Sequence, residues 1–128
     1  MLGPGHKIRL RSSARSDTGK VRDNNEDSVR LSIQNDVVVA IVADGMGGAV
    51  AGEEASRIAV EQICNQFFEH PLDKVEEDQL VGNMREAITY ANEQIVVEAQ
   101  QHPELKGMGT TVTMAVVRGA RLLLGHVG

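Results

Sequence analysis

The chain has one cysteine, no tryptophan, one tyrosine and two phenylalanines in 128 residues. A lone Cys64 excludes an internal disulfide and a cysteine-rich zinc site. So few aromatic rings leave no stacking platform for bases. No Lys/Arg patch is present to follow a phosphate backbone, so nucleic acid is excluded as a main partner. The longest apolar run, Val37 to Ala43, is too short to span a bilayer. Met1-Leu-Gly-Pro-Gly-His-Lys-Ile-Arg contains no apolar secretory segment. Together these absences read as a cytoplasmic protein with no membrane partner.

Hydrophobic residues make up 41% and charged residues 24%, which separates the chain from disordered sequences. The length suits one domain with a real core. The net charge of −5 is concentrated in residues 50–106, which hold 12 Asp/Glu against 4 Lys/Arg. Such a segment reads as the solvated faces of helices. There is no internal repeat and no low-complexity stretch.

Periodicity predicts an α+β chain in the order β-β-β-α-α-β-β. After a flexible start, residues 7–16 alternate loosely as a half-exposed leading strand. Ser28 to Ile33 alternates more cleanly. Gln34-Asn35-Asp36 is a turn cluster. Val37 to Ala43, apolar throughout and β-branched, predicts a central strand buried on both faces. A helix should start between Ala49 and Gly52, with Ala55, Ile58, Ala59, Ile63 and Phe67 on one face and Pro71 ending the run. A second helix spans about Asp78 to Gln101 and stops at His102-Pro103. The short connector implies an antiparallel helix pair laid on a sheet. Thr110–Val117 and Ala120–Val127 predict a hairpin.

Two segments could carry chemistry. Arg22-Asp-Asn-Asn-Glu-Asp27 precedes a strand, and Asp44-Gly-Met-Gly-Gly48 follows the most apolar one. Carboxylates converging from two strand ends are hard oxygen ligands on a rigid scaffold, as Mg²⁺ or Mn²⁺ requires. Gly45 lets a backbone carbonyl approach an ion, and the Arg22 fork suits a phosphate. Plainer readings stand beside these. Asp44-Gly45 is also a turn signal, Asp27 could pair with Arg30, and Arg22 could be a solvated loop residue. Val50 breaks a dinucleotide fingerprint, and a P-loop is absent. Cys64 falls at helical spacing with Val60 and Phe68, which marks it as a core residue.

In order along the chain come Arg22-x-x-Asn-Glu-Asp27, Asp44-Gly-Met-Gly-Gly48, Gly107-Met-Gly-Thr-Thr111 and Leu124-Gly-His-Val-Gly128. With the elements between them, these motifs resemble the metal-dependent protein phosphatase (protein phosphatase 2C) family, and Met46 resembles its bacterial serine/threonine branch. The resemblance covers the chain from about Ser16. It implies a β-sandwich flanked by antiparallel helix pairs, and two Mn²⁺ or Mg²⁺ ions at one end of the sandwich. Asp27 and Asp44 would be metal ligands, with Asp44 bridging the ions, and the Gly45 carbonyl would be a third. Glu26 would act through ordered water and Arg22 would hold the substrate phosphate. The implied reaction is hydrolysis of phosphoserine or phosphothreonine in proteins by a metal-activated water, with no protein nucleophile. The implied partners are phosphorylated targets of a serine/threonine kinase.

The sequence departs from the family in two respects. Met46 stands where the eukaryotic branch has a proton-donating histidine, and His126, a strand residue, is a poor substitute. The chain is also about half the length of the family's catalytic domain. Residues 1–128 therefore read as its N-terminal half, with inner strand faces exposed and self-association as one way to cover them. The rival reading is a catalytically inactive, phosphatase-like binding or regulatory module.

Overall fold

The computed structural model describes residues 11–16 and 25–128. Among these residues, four strands form one antiparallel sheet in the order β1-β2-β3-β4: β1 Asp27–Gln34, β2 Val37–Met46, β3 Gly109–Arg118 and β4 Arg121–Val127. Helix α1 spans Ala49–Phe67 and α2 spans Glu77–Gln101. A short 3₁₀ turn, Pro103–Leu105, follows α2.

The turns explain the register. Asn35 and Asp36 both take positive φ, 50° and 64°. Such a two-residue hairpin matches the strand twist and suits short polar side chains. It pairs Gln34 with Val37 and, along the ladder, Asp27 with Asp44. The hairpin between β3 and β4 turns at Gly119, φ 60°, and Ala120.

Alternation along β2 divides the sheet into two faces. Val37, Val39, Ile41 and Ala43 are almost wholly buried on the face that α1 covers. The helix can sit close because small residues, Ala55, Ser56 and Ala59, face the sheet and are fully buried. The Ser56 hydroxyl lies 2.9 Å from that of Ser28 on β1 and donates to the Glu53 carbonyl at 3.1 Å, so its polar group is satisfied. Farther along, Ile63 and Phe67 meet Leu80, Met84 and Ala87 of α2 in one core with Met114 and Val116 of β3.

Two expectations are corrected. β2 is not buried on both faces among the described residues, because Val42 is 48% exposed on the face away from the helices. The helix pair lies on one face of the sheet, as expected. α1 packs on β1, β2 and β3, whereas α2 packs on α1 and reaches the sheet at β4. The Met84 and Ile88 side chains come down on Gly125, which offers no side chain to obstruct them. Residues 11–16, part of the expected leading strand, have no regular structure; residues 7–10 lie outside the described residues.

The connector between the helices is tied to the sheet. Leu72 is fully buried, and the Arg118 guanidinium at the end of β3 donates to the carbonyls of Leu72 (3.2 Å) and Val75 (2.6 Å). Among the described residues, no helix is long and apolar enough to cross a membrane.

Candidate metal site at the end of the central strands

Asp27 opens β1 and Asp44 lies near the end of β2, and the two are direct cross-strand partners. The Gly45 N–H donates to the Glu26 carbonyl at 3.1 Å. That bond makes the Glu26–Gly45 pair a hydrogen-bonded rung. Asp27 and Asp44 therefore occupy the adjoining rung without such bonds, where opposed side chains come closest. Both project from the face away from the helices, Asp44 exposed and Asp27 half-buried. Like charges placed directly opposite each other are destabilising. A divalent cation shared by the two carboxylates would reverse that sign.

The neighbouring groups hold this rung in place. The Asp27 N–H donates to Asn25 Oδ1 at 3.0 Å, a side-chain-built turn that sets where β1 begins. Asn25 Nδ2 donates in turn to Ser16 Oγ at 2.6 Å. On the other flank, the Asp44 N–H donates to Thr111 Oγ1 at 3.3 Å. Asn25 and Thr111 lie within the sequence motifs, whose spacing alone assigns them no role. An Asn two residues before the acid was the available signal for the first.

Asp44-Gly45 is not a turn; both residues lie inside β2. Gly45 is buried, and a Cβ there would stand 1.9 Å from the Gly52 carbonyl oxygen of α1. Glycine at 45 thus has a steric reason beyond an open path to its carbonyl. The chain then turns through Gly47 and Gly48, φ 111° and 97°, which favour glycine. A Cβ on Gly47 would meet the Gly107 carbonyl at 2.8 Å, so the two glycine motifs pack on each other. Met46 is half-exposed and lies over Gly109.

Glu26 points to the helix side. Its Oε2 lies 2.5 Å from where a Gly52 Cβ would stand, in the first turns of α1. Arg22 lies outside the described residues. His126 is a strand residue on the open face, its Nδ1 2.8 Å from Thr113 Oγ1. Cys64 is a core residue as expected, and burial pushes its thiol pKa up, away from nucleophile chemistry.

The donor set fits a hard cation in part. Two carboxylates and a nearby carbonyl, completed by water, suit Mg²⁺ or Mn²⁺. Among the described residues, no group of three or more His, Cys, Asp or Glu could hold a metal. Two cations would therefore draw further ligands from beyond this rung.

The chain is an antiparallel sheet with a helix pair on one face and an acidic rung where its central strands end. The profile of the protein phosphatase 2C family matches residues 18–128, and the chain belongs to that family. It is 39% identical over 119 residues to the serine/threonine protein phosphatase PstP of Mycobacterium tuberculosis, covering 93% of this chain and 21% of PstP. It is 32% identical over 120 residues to the serine/threonine phosphatase stp of Listeria welshimeri, covering 93% of this chain and 47% of that protein. A crystal structure of the PstP catalytic domain with two manganese ions superposes with a TM-score of 0.75 at 37% identity, over 91% of this chain and 46% of that one. Stp1 of Staphylococcus aureus gives 0.81 at 31% identity, over all of this chain and 51% of that one. The chain thus spans about a fifth to a half of the relatives it matches, and its sheet and helix pair are part of the protein phosphatase 2C fold.

Proposed function

We propose that the chain is the N-terminal part of a metal-dependent serine/threonine protein phosphatase. The observation that carries this reading is the rung of opposed carboxylates, Asp27 and Asp44, in a chain of this family. Asp27 and Asp44 would hold divalent cations, Mn²⁺ or Mg²⁺. The Gly45 carbonyl would be a further ligand, and Glu26 would act through ordered water. When bound, the cations supply an activated water and offset charge on the phosphoryl oxygens. Asn25 and Thr111 keep the two aspartates in position, and Arg22 binds the substrate phosphate. The PstP structure with two manganese ions supports the choice of cofactor.

The substrates are phosphorylated proteins, the targets of serine/threonine kinases, and the site of action is cytoplasmic. Self-association through the open face of the sheet covers Val42, Leu122 and Leu124, which are exposed there. A second reading, a catalytically inactive phosphatase-like module, is favoured by one observation: the rung alone offers fewer acidic ligands than two cations need.

The first test is turnover of a phosphothreonine peptide by this chain, with Mn²⁺ and with chelator. Chelator-sensitive turnover that Asp44→Asn lowers by at least ~100-fold supports the enzyme, since even changes outside the ligand set cost about 10–100-fold. If a folded chain binds Mn²⁺ and turns nothing over, the same assay on the longer protein decides: chelator-sensitive turnover there supports the enzyme, and none supports the inactive module.

A further inference from the structure

We infer that Gly52 is a positioning residue for this site, because it leaves the space in which the Glu26 carboxylate is seated against α1. The inference rests on the metal-site reading above and extends it to the helix.

Gly52 lies inside α1, where glycine is a poor helix former. Its φ is not left-handed, so conformational freedom does not explain it. Space does. A Cβ at Gly52 would stand 2.5 Å from Glu26 Oε2, 3.0 Å from that carboxyl carbon and 3.0 Å from the Gly45 carbonyl carbon. The glycine of α2 gives the contrast, since a Cβ at Gly82 would meet nothing within 4 Å.

Charge favours the same seat. α1 has no acidic residue in its first turn and no side-chain cap. Glu26, delivered from the start of β1, brings a carboxylate close to that end, where the helix dipole favours an anion. One glycine therefore governs two neighbours of the acidic rung. It allows α1 to close on Gly45, whose N–H is already held by the Glu26 carbonyl. It also fixes where the Glu26 carboxylate stands. The carboxylate contact is the tighter, and it yields first when a methyl group is added.

Five forms of this chain test the idea: wild type, Gly52→Ala, Glu26→Ala, their double variant and Gly82→Ala as the control. Mn²⁺ affinity is read by electron paramagnetic resonance, and helix content and melting by circular dichroism. Gly52→Ala is expected to weaken Mn²⁺ binding by ~10-fold with helix content retained, the low end of what displaced outer ligands cost. In the Glu26→Ala background it should add little, because the group it displaces is already gone. Gly82→Ala should bind like wild type. Equal affinity of wild type and Gly52→Ala, or losses that multiply in the double variant, overturns the inference and leaves the metal site standing. Absence of Mn²⁺ binding by wild type overturns both. If Gly52→Ala prevents folding, the double variant must restore it; failure to do so also refutes the seat.

Discussion

The two faces of the sheet are made by the same four strands and have different surroundings. On the helix face, β2 presents Val37, Val39, Ile41 and Ala43, none more than 1% exposed. On the open face lie Val42 of β2, Ile33 of β1 and Leu124 of β4, 48%, 59% and 67% exposed. The open face also carries Asp27 and Asp44 at one end. The helix face therefore holds most of the packing that keeps the chain folded. The open face holds the acidic rung and a contiguous apolar surface of the kind that marks an interface. Most of the packing and the acidic rung lie on opposite sides of one layer of backbone.

The largest expected effect comes from breaking the covered face. Phe67 is fully buried and meets Phe68 edge to face, ring centroids 5.9 Å apart. Phe67→Ala removes the largest side chain of the core and should cost about 3–5 kcal/mol, read from urea unfolding. A loss under about 1 kcal/mol would mean that this face is not where stability resides.

Asp44→Asn, on the other face, should act in two opposite directions. Without metal, removing one of two opposed negative charges should leave the fold unchanged or raise stability by about 0.2–1 kcal/mol. With Mn²⁺, the variant should lose the rise in melting temperature that metal binding confers on the wild type. Paired melts with Mn²⁺ and with chelator check both signs. A metal-free Asp44→Asn chain that melts well below wild type would make Asp44 a structural residue.

This rung also shows how far the sequence could be read. Asp27 and Asp44 were legible as candidates because each sits in an acidic or glycine-rich motif at a strand end. That they oppose one another follows from the turn. With only Asn35 and Asp36 between the strands, pairing runs back to Asp27 and Asp44. One more residue in the turn would shift the register and move one strand's side chains to the opposite face. The sequence showed a turn cluster but not its length. Helix positions were legible from apolar spacing. Which strands each helix meets was not, because an apolar stripe does not say that α1 takes the central strands and α2 the β4 edge. Burial of β2 on both faces was misread for a related reason. A run of β-branched residues records which faces can be covered, not what covers them. The reason for Gly52 was hidden too, since its neighbour Glu26 is remote in sequence.

A smaller effect is expected on the exposed apolar surface. Leu124→Lys places a charge where solvent already reaches, so unfolding of the dilute monomer should change by no more than about 0.5 kcal/mol. At high concentration the same change should weaken self-association, measured by sedimentation. A monomer destabilised by several kcal/mol would show that the open face is core after all, and the comparison between faces would fail.

The smallest effect belongs to neither face and sets the background for the others. Arg57, on the outer side of α1, donates to Glu54 at 3.0 Å and also pairs with Glu61. The hydrogen bond from Arg57 holds the Glu54 carboxyl below its ordinary value of 4.5, against burial, which pushes it up. A carboxyl whose pKa is depressed on folding contributes its stability in full above the unfolded value. That contribution fades as pH falls below about 4.5 and through the depressed folded value. The Arg57 side chain is half-exposed, so solvent screening limits the pair to a few tenths of a kcal/mol. Arg57→Ala should therefore lower the melting temperature by about 1–2 °C at pH 7. The gap should close on acidification and shrink in salt. A gap that persists below pH 3 would assign the loss to the packing of the arginine stem along α1 and not to its charge.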